Sequence, residues 1–121
     1  MSADTEAMPG GPSPGSALRK RLASVGVTAS PVLSWRSLDV DLVGYEVRLE
    51  GRPIQLSALQ IELLAVFLAA PERVWHRDEL AWLVGTRVAR TRNIDVHLSR
   101  IRGRAGRDLF LAVPRRGWRL R

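Results

Sequence analysis

The side chains with the most chemistry to offer lie in Arg92-Asn93-Ile94-Asp95-Val96-His97-Leu98-Ser99-Arg100-Ile101-Arg102-Gly103-Arg104. Guanidinium, carboxamide, imidazole and hydroxyl groups recur there, and all of them can donate hydrogen bonds. Wound as an α-helix, the segment puts Ile94, Leu98, Ile101 and Ala105 on one face at the spacing of a buried stripe. Asn93, His97, Arg100 and Arg104 take the opposite side, flanked by Arg92, Val96, Ser99 and Arg102. Such a helix can pack by one face and use the other to reach phosphates and base edges in a DNA major groove. The competing reading is a surface helix whose basic face is merely solvated.

Charge distribution favours the first reading. Residues 86–121 carry eleven arginines against Asp95 and Asp108, a net +9, whereas residues 31–85 sum to −3 and residues 1–30 to +1. The whole chain stands at +7, so one end of it is a concentrated anion-binding surface. A basic tail that binds nothing in particular would not interleave its arginines with apolar residues at helix and strand periods. Eighteen arginines against the single Lys20 point to a high-GC coding genome, which concerns the source and not the function.

Other chemistries find little support. There is no cysteine, and His76 and His97 are the only histidines, so neither a disulfide nor a metal site is expected. Asp78 and Glu79 suit a helix start better than a general acid/base couple. No Ser/His/Asp set or glycine-rich phosphate loop appears, so the chain is not expected to be an enzyme or to hold a cofactor. No apolar run approaches the roughly 18 residues of a membrane span. Met1–Glu6 lacks the pattern of a signal peptide, which makes the cytoplasm the expected location.

The positioning elements follow from composition and period. Residues 1–31 are expected to be a low-complexity, disordered N-terminal arm, with residues 32–121 forming one domain. Within that arm, residues 17–26 can form a short helix with Leu18, Leu22 and Val25 on one side, either an arm that contacts DNA or a partner, or a frayed linker. Strands are expected at Val32–Leu38, Tyr45–Glu50 and Pro53–Leu56; Tyr45, Val47 and Leu49 alternate with charged residues in the half-buried pattern. Ser57-Ala58-Leu59-Gln60 is a capping box. Leu59, Leu63, Leu64, Val66 and Phe67 continue it as a helix ending near Ala70-Pro71. A second helix covers Asp78–Val84 with Gly85 as its stop, and the loop Thr86–Thr91 leads to the basic helix. Leu109–Val113 and Trp118–Leu120 flank the turn Pro114-Arg115-Arg116-Gly117, a hairpin with two arginines at its tip.

This order predicts an α+β winged helix-turn-helix, with a small N-terminal antiparallel sheet, three helices and a C-terminal β-hairpin wing. The residues also resemble the DNA-binding (effector) domain of OmpR/PhoB-type response regulators, over roughly residues 33–121. Leu56-Ser57 with Leu63-Leu64 resembles the family's Leu-Thr-x-x-Glu-x-x-Leu-Leu first helix. Val74-Trp75-His76-Arg77-Asp78-Glu79-Leu80 resembles the Val-Val-Ser-Arg-Glu-x-Leu that opens its second. The segment from Arg92 to Arg102 is similar to its Arg-Thr-Val-Asp-Val-His-Ile-x-x-Leu-Arg recognition helix. Phe110–Arg119 resembles its closing Ile-x-Thr-Val-Arg-Gly-x-Gly-Tyr-Arg hairpin.

The resemblance implies a sequence-specific, double-stranded DNA-binding transcription regulator with helix 92–104 in the major groove. Arg100 would fork onto guanine O6 and N7, with Val96, His97 and Arg104 beside it at base edges. Arg92, Asn93, Ser99, Arg102 and Trp118 would hold phosphates, which sets register but not sequence. For Trp118, which stands where the family has tyrosine, packing in the core is the other reading. Asp95 would pair with a scaffold arginine such as Arg77. The wing 109–120 would send Arg115 or Arg116 into the minor groove. Two protomers would bind direct repeats head to tail, and the loop Thr86–Thr91 would meet RNA polymerase, although it is shorter here than in common members.

Three departures from the family pattern have consequences. Pro114 and Arg115 replace an Arg-Gly pair, so the wing arginine is displaced and its turn stiffened. Gly103 costs near 1 kcal/mol of helix propensity, so an early helix end is expected there. Gln60 stands for the usual glutamate. The opening residues are too few for the phosphoacceptor domain such regulators carry, so the expectation is a domain acting without one. The alternative to DNA reading is a protein–protein interaction module with non-specific DNA affinity, using Trp75 and Trp82.

Overall fold

Four short runs, each with an apolar face, build an antiparallel sheet at the start of the domain. In the computed structural model, which describes residues 14–84 and 92–121, these are β1 (Val32–Trp35), β2 (Leu38–Asp41), β3 (Glu46–Leu49) and β4 (Arg52–Ile54), in that spatial order. Their registers pair Val40 with Val47 and Val47 with Ile54, so the apolar residues share one face. The expected single strand Val32–Leu38 is instead two strands. Arg36 takes φ 54° in the turn between Trp35 and Leu38, and the chain doubles back. The second strand then follows the alternation Leu38, Val40, Leu42, with Asp39 and Asp41 between them. Asp41 Oδ1 accepts from the N–H groups of Val43 and Gly44 at 2.8 and 3.2 Å, which closes the next turn. Glu50 and Gly51, both at positive φ, form the two-residue turn into β4.

Helix α2 (Ala58–Ala69) begins at the expected capping box: Ser57 Oγ accepts from the Gln60 N–H at 3.2 Å, and Gln60 Oε1 accepts from the Ser57 N–H at 3.0 Å. It is buried nearly all round, through Ile61, Leu63, Leu64, Ala65, Val66, Phe67 and Leu68. The sheet covers one side of it, and Phe67 meets Phe110 of the hairpin at 4.7 Å between ring centres. Tyr45 ties the sheet to it from the turn before β3, donating its hydroxyl to Glu62 at 2.5 Å. Helices α3 (Arg77–Leu83) and α4 (Arg92–Ala105) pack on α2 and on each other. Strands β5 (Phe110–Val113) and β6 (Gly117–Leu120) form the closing hairpin. Gly103 does not end α4, which continues through Ala105 to Gly106 at φ 137°.

The expectation of a disordered arm through residue 31 is corrected over residues 14–31. Helix α1 (Pro14–Ser24) docks on α2 and α3, with Leu18 and Leu22 fully buried and Val27 and Ala29 nearly so. Arg21 Nη1 donates to the Leu83 carbonyl at 3.2 Å, capping the end of α3, and Arg19 Nε donates to the Ala29 carbonyl at 2.9 Å. The Leu18, Leu22, Val25 spacing marks a real apolar face, and what it meets is the domain's own core. The expectations for residues 1–13, for the Gly85 stop and for the loop Thr86–Thr91 lie outside the described residues.

Replacing Leu22 with Ala should lower unfolding free energy by about 2–5 kcal/mol in urea titrations, the range for a leucine removed from a packed core. A stability within experimental error of the parent would show that α1 is not docked.

Candidate nucleic-acid interface

Helix α4 is held from three directions. Its stripe of Ile94, Leu98 and Ile101 is buried, as the helical spacing requires. Near its start, both Asp95 oxygens accept from Arg77 Nη2, at 3.1 and 3.4 Å, which is the pairing expected from the sequence. The pair is solvent-exposed and contributes at most about 1 kcal/mol, so its role is to orient α4 against α3. The third hold is on the side facing α2, where Gln60 reaches His97. The amide nitrogen Nε2 stands 3.2 Å from His97 Nδ1.

Helix α3 is itself fixed by a second capping box that the sequence reading missed. His76 Nδ1 accepts from the Asp78 N–H at 3.1 Å, and Glu79 accepts from the His76 N–H at 2.9 Å. Histidine is not a usual N-cap, and the available signal was the glutamate three residues on. Arg73 joins these parts: it pairs with Glu79 at 3.2 Å, lies over the Trp75 ring at 4.1 Å and donates to the Val25 carbonyl.

The hairpin is attached by backbone. Trp75 N–H donates to the Trp118 carbonyl at 2.7 Å, and Trp118 N–H donates to the Trp75 carbonyl at 2.9 Å. Gly117 permits that approach: a Cβ there would stand 2.0 Å from the Trp75 carbonyl oxygen, and its φ is 136°. The tip is a three-residue turn in which Arg116 N–H donates to the Val113 carbonyl at 3.0 Å and Arg115 has φ 64°. Arg115 and Arg116 are both exposed there, and an open groove runs between them and His76-Arg77 at the start of α3.

The sequence-predicted residues separate into groups. Val96, Ser99, Arg100 and Arg104 are exposed on one outward surface of α4, Val96 at 48%. Arg100 and Arg104 border a second open cleft with Ser57 and Gln60. His97 is half-buried at the edge of this surface. Arg102 stands apart from the free arginines, with its Nε buried and without a hydrogen-bond partner. Trp118 packs against the core while remaining partly exposed. The side chains of Arg92 and Asn93 lie outside the described residues. Trp75 is fully buried, which removes it from any interaction surface, whereas Trp82 is 54% exposed. Among the described residues no helix is long and apolar enough to cross a membrane.

An exposed row of guanidinium and hydroxyl donors on a rigid helix, beside a hairpin tip with two more arginines, is built to meet a grooved polyanion. The comparisons agree with that geometry. Residues 51–120 match the family described as "Transcriptional regulatory protein, C terminal". The chain is 39% identical over 93 residues to the transcriptional regulatory protein CseB of Streptomyces coelicolor, an alignment covering 74% of this chain and 39% of CseB. It therefore spans about two fifths of the length of that relative. The fold is similar to the DNA-binding domain of CpxR from Escherichia coli, with TM-score 0.64 and 22% identity over 75% of this chain and 96% of that one. It is equally similar to the Klebsiella pneumoniae RstA DNA-binding domain in complex with the RstA box, with TM-score 0.64, 24% identity and coverage of 75% and 97%.

Burial, and secondarily the charge of Arg100, holds the His97 pKa below the ordinary 6.5. The unfolded chain therefore binds the proton more readily, so stability from this site is present above pH 6.5 and is lost as pH falls from there through the lower pKa of the folded protein. An NMR titration of the imidazole should give a midpoint below 6.5, moving upward in Arg100→Ala. A midpoint at or above 6.5 in the parent would contradict this environment.

Proposed function

The chain belongs to the transcriptional regulatory protein C-terminal family, the OmpR/PhoB-type DNA-binding domains, and on that footing we propose that it is a sequence-specific, double-stranded DNA-binding transcription regulator. The observation that carries this reading is the outward face of α4, where Val96, Ser99, Arg100 and Arg104 are exposed while the opposite stripe is locked into the core. In it, α4 lies in the major groove. Arg100 reads guanine, with Val96, His97 and Arg104 at neighbouring base edges. Ser99, Arg92, Asn93 and the exposed part of Arg102 hold phosphates. Trp118, which packs against the core while remaining partly exposed, lends its indole N–H to a phosphate beside the wing, and Arg115 and Arg116 take the minor groove.

Head-to-tail protomers on direct repeats and a cytoplasmic, nucleoid-bound location complete the proposal. The RstA domain of similar fold was solved with its DNA box, which supports this docking. An RNA polymerase contact through residues 86–91 remains part of it. Trp82, exposed on α3, is the observation that favours a protein partner, and the DNA reading does not use it.

Selection of bound duplexes from a random pool, followed by salt titration on the enriched sequence, tests the proposal. A repeated motif spaced about one helical turn and a steep salt slope are expected. Arg100→Ala should erase about 1–3 kcal/mol of preference at one base pair with an unchanged circular dichroism spectrum. Arg115→Ala with Arg116→Ala should instead weaken binding broadly and flatten the salt slope. Equal affinity for every sequence would sink the reading.

A further inference from the structure

The hydrogen-bond roles around His97 are determined by a group that has no freedom, the backbone N–H of Ser57. A backbone N–H can only donate, so the Gln60 atom 3.0 Å from it is the oxygen Oε1. The other half of the carboxamide is then the NH2 group, and it is this group that stands 3.2 Å from His97 Nδ1. An amide nitrogen donates and does not accept, so Nδ1 must offer its lone pair, and the neutral ring carries its proton on Nε2. Gln60 cannot turn over without breaking the side-chain half of the capping box that starts α2, because its NH2 group would then meet the Ser57 N–H donor against donor. His97 Nε2 is not among the buried polar atoms without a partner, and no described side chain takes it. It is left to face a ligand beside Arg100, one helical turn along the same face of α4.

We infer that Gln60 is a specificity-positioning residue: the cap of α2 fixes the His97 tautomer, so that His97 offers the major groove one neutral Nε2–H donor and no acceptor. This rests on the DNA-binding reading above and names what that reading leaves open, the kind of base edge that His97 selects. A lone donor suits guanine O6 or N7, adenine N7 or thymine O4, and it rejects cytosine, whose groove edge is an amino donor. Gln60 does not touch DNA in this scheme. Its effect passes through the imidazole, so its substitution should change which base is preferred and leave the phosphate-driven part of affinity alone.

The test uses the whole chain and begins without DNA. Long-range nitrogen–proton correlation spectra of the free protein should show His97 protonated on Nε2. In Gln60→Glu the capping box survives, because glutamate fills the same position, but the carboxylate can only accept. Above the titration midpoint of the variant, the proton should therefore move to Nδ1, leaving Nε2 as an acceptor. Circular dichroism and thermal unfolding verify that the variant folds. Random-duplex selection above that midpoint should then differ from the parent at one base pair. The parent should disfavour cytosine there by roughly three- to tenfold, the range for one hydrogen bond, and the variant should lose or reverse that preference at an unchanged salt slope.

A proton on Nδ1 in the parent, or a tautomer that Gln60→Glu does not alter, overturns the positioning role. An altered tautomer with an identical selected motif overturns the reading role. If the parent itself selects no motif, the DNA-binding proposal fails with it, and the tautomer measured in the free protein distinguishes that failure from an error about Gln60.

Discussion

Helix α2 has no side to spare for water, and the arrangement of the domain follows from that. Seven of its apolar residues are buried around most of its circumference, so each neighbouring element is needed to cover part of it. The sheet takes one side, α3 and α4 take others, the closing hairpin brings Phe110 against Phe67, and α1 supplies Leu18 and Leu22. At roughly 25 cal/mol per Å² of apolar surface, a helix exposed on any of these sides would forfeit several kilocalories per mole. The small sheet and the hairpin are too short to be stable alone. They persist because they cover α2.

The same packing makes the interface rigid. The outward side chains of α4 are placed by the stripe that points inward, with Arg77–Asp95 at one end and Gln60–His97 on the side facing α2. The wing is placed by the Trp75–Trp118 backbone pairing, which exists only because residue 117 has no side chain. Helix α4 and the closing hairpin are therefore placed relative to each other by the fold itself. Charge is partitioned in the same way. Over residues 31–85 eight acidic residues outnumber five arginines, whereas α4 and the wing tip hold Arg100, Arg104, Arg115 and Arg116 exposed with Asp95 as the acid of α4.

Much of this was legible in the sequence. The buried stripe of α4, the cap at Ser57, the hairpin around Pro114–Gly117 and the Arg77–Asp95 pair all depend on local spacing or on a resemblance carried by contiguous motifs. The β1–β2 turn was not legible, because Arg36 adopts a positive φ without the glycine or asparagine that usually announces it. Nor was the N-terminal boundary. Leu18 and Leu22 lie on a short helix of mixed composition, and only its docking on distant elements such as α2 and α3 makes them worth burying.

Amino-acid order by itself determined the period of each element, the location of the charge and the identity of the donors, because those properties need only neighbours along the chain. The tertiary structure decided which donors are free. Arg100 and Arg104 stand in the open, Arg102 has its Nε buried, Trp75 disappears into the core and Trp82 does not. It also decided the state of His97, since the partner that orients its ring lies 37 positions away on another helix. A hydrogen bond acts over about 3 Å of space, and no spacing rule along a chain specifies which distant residue will come within it.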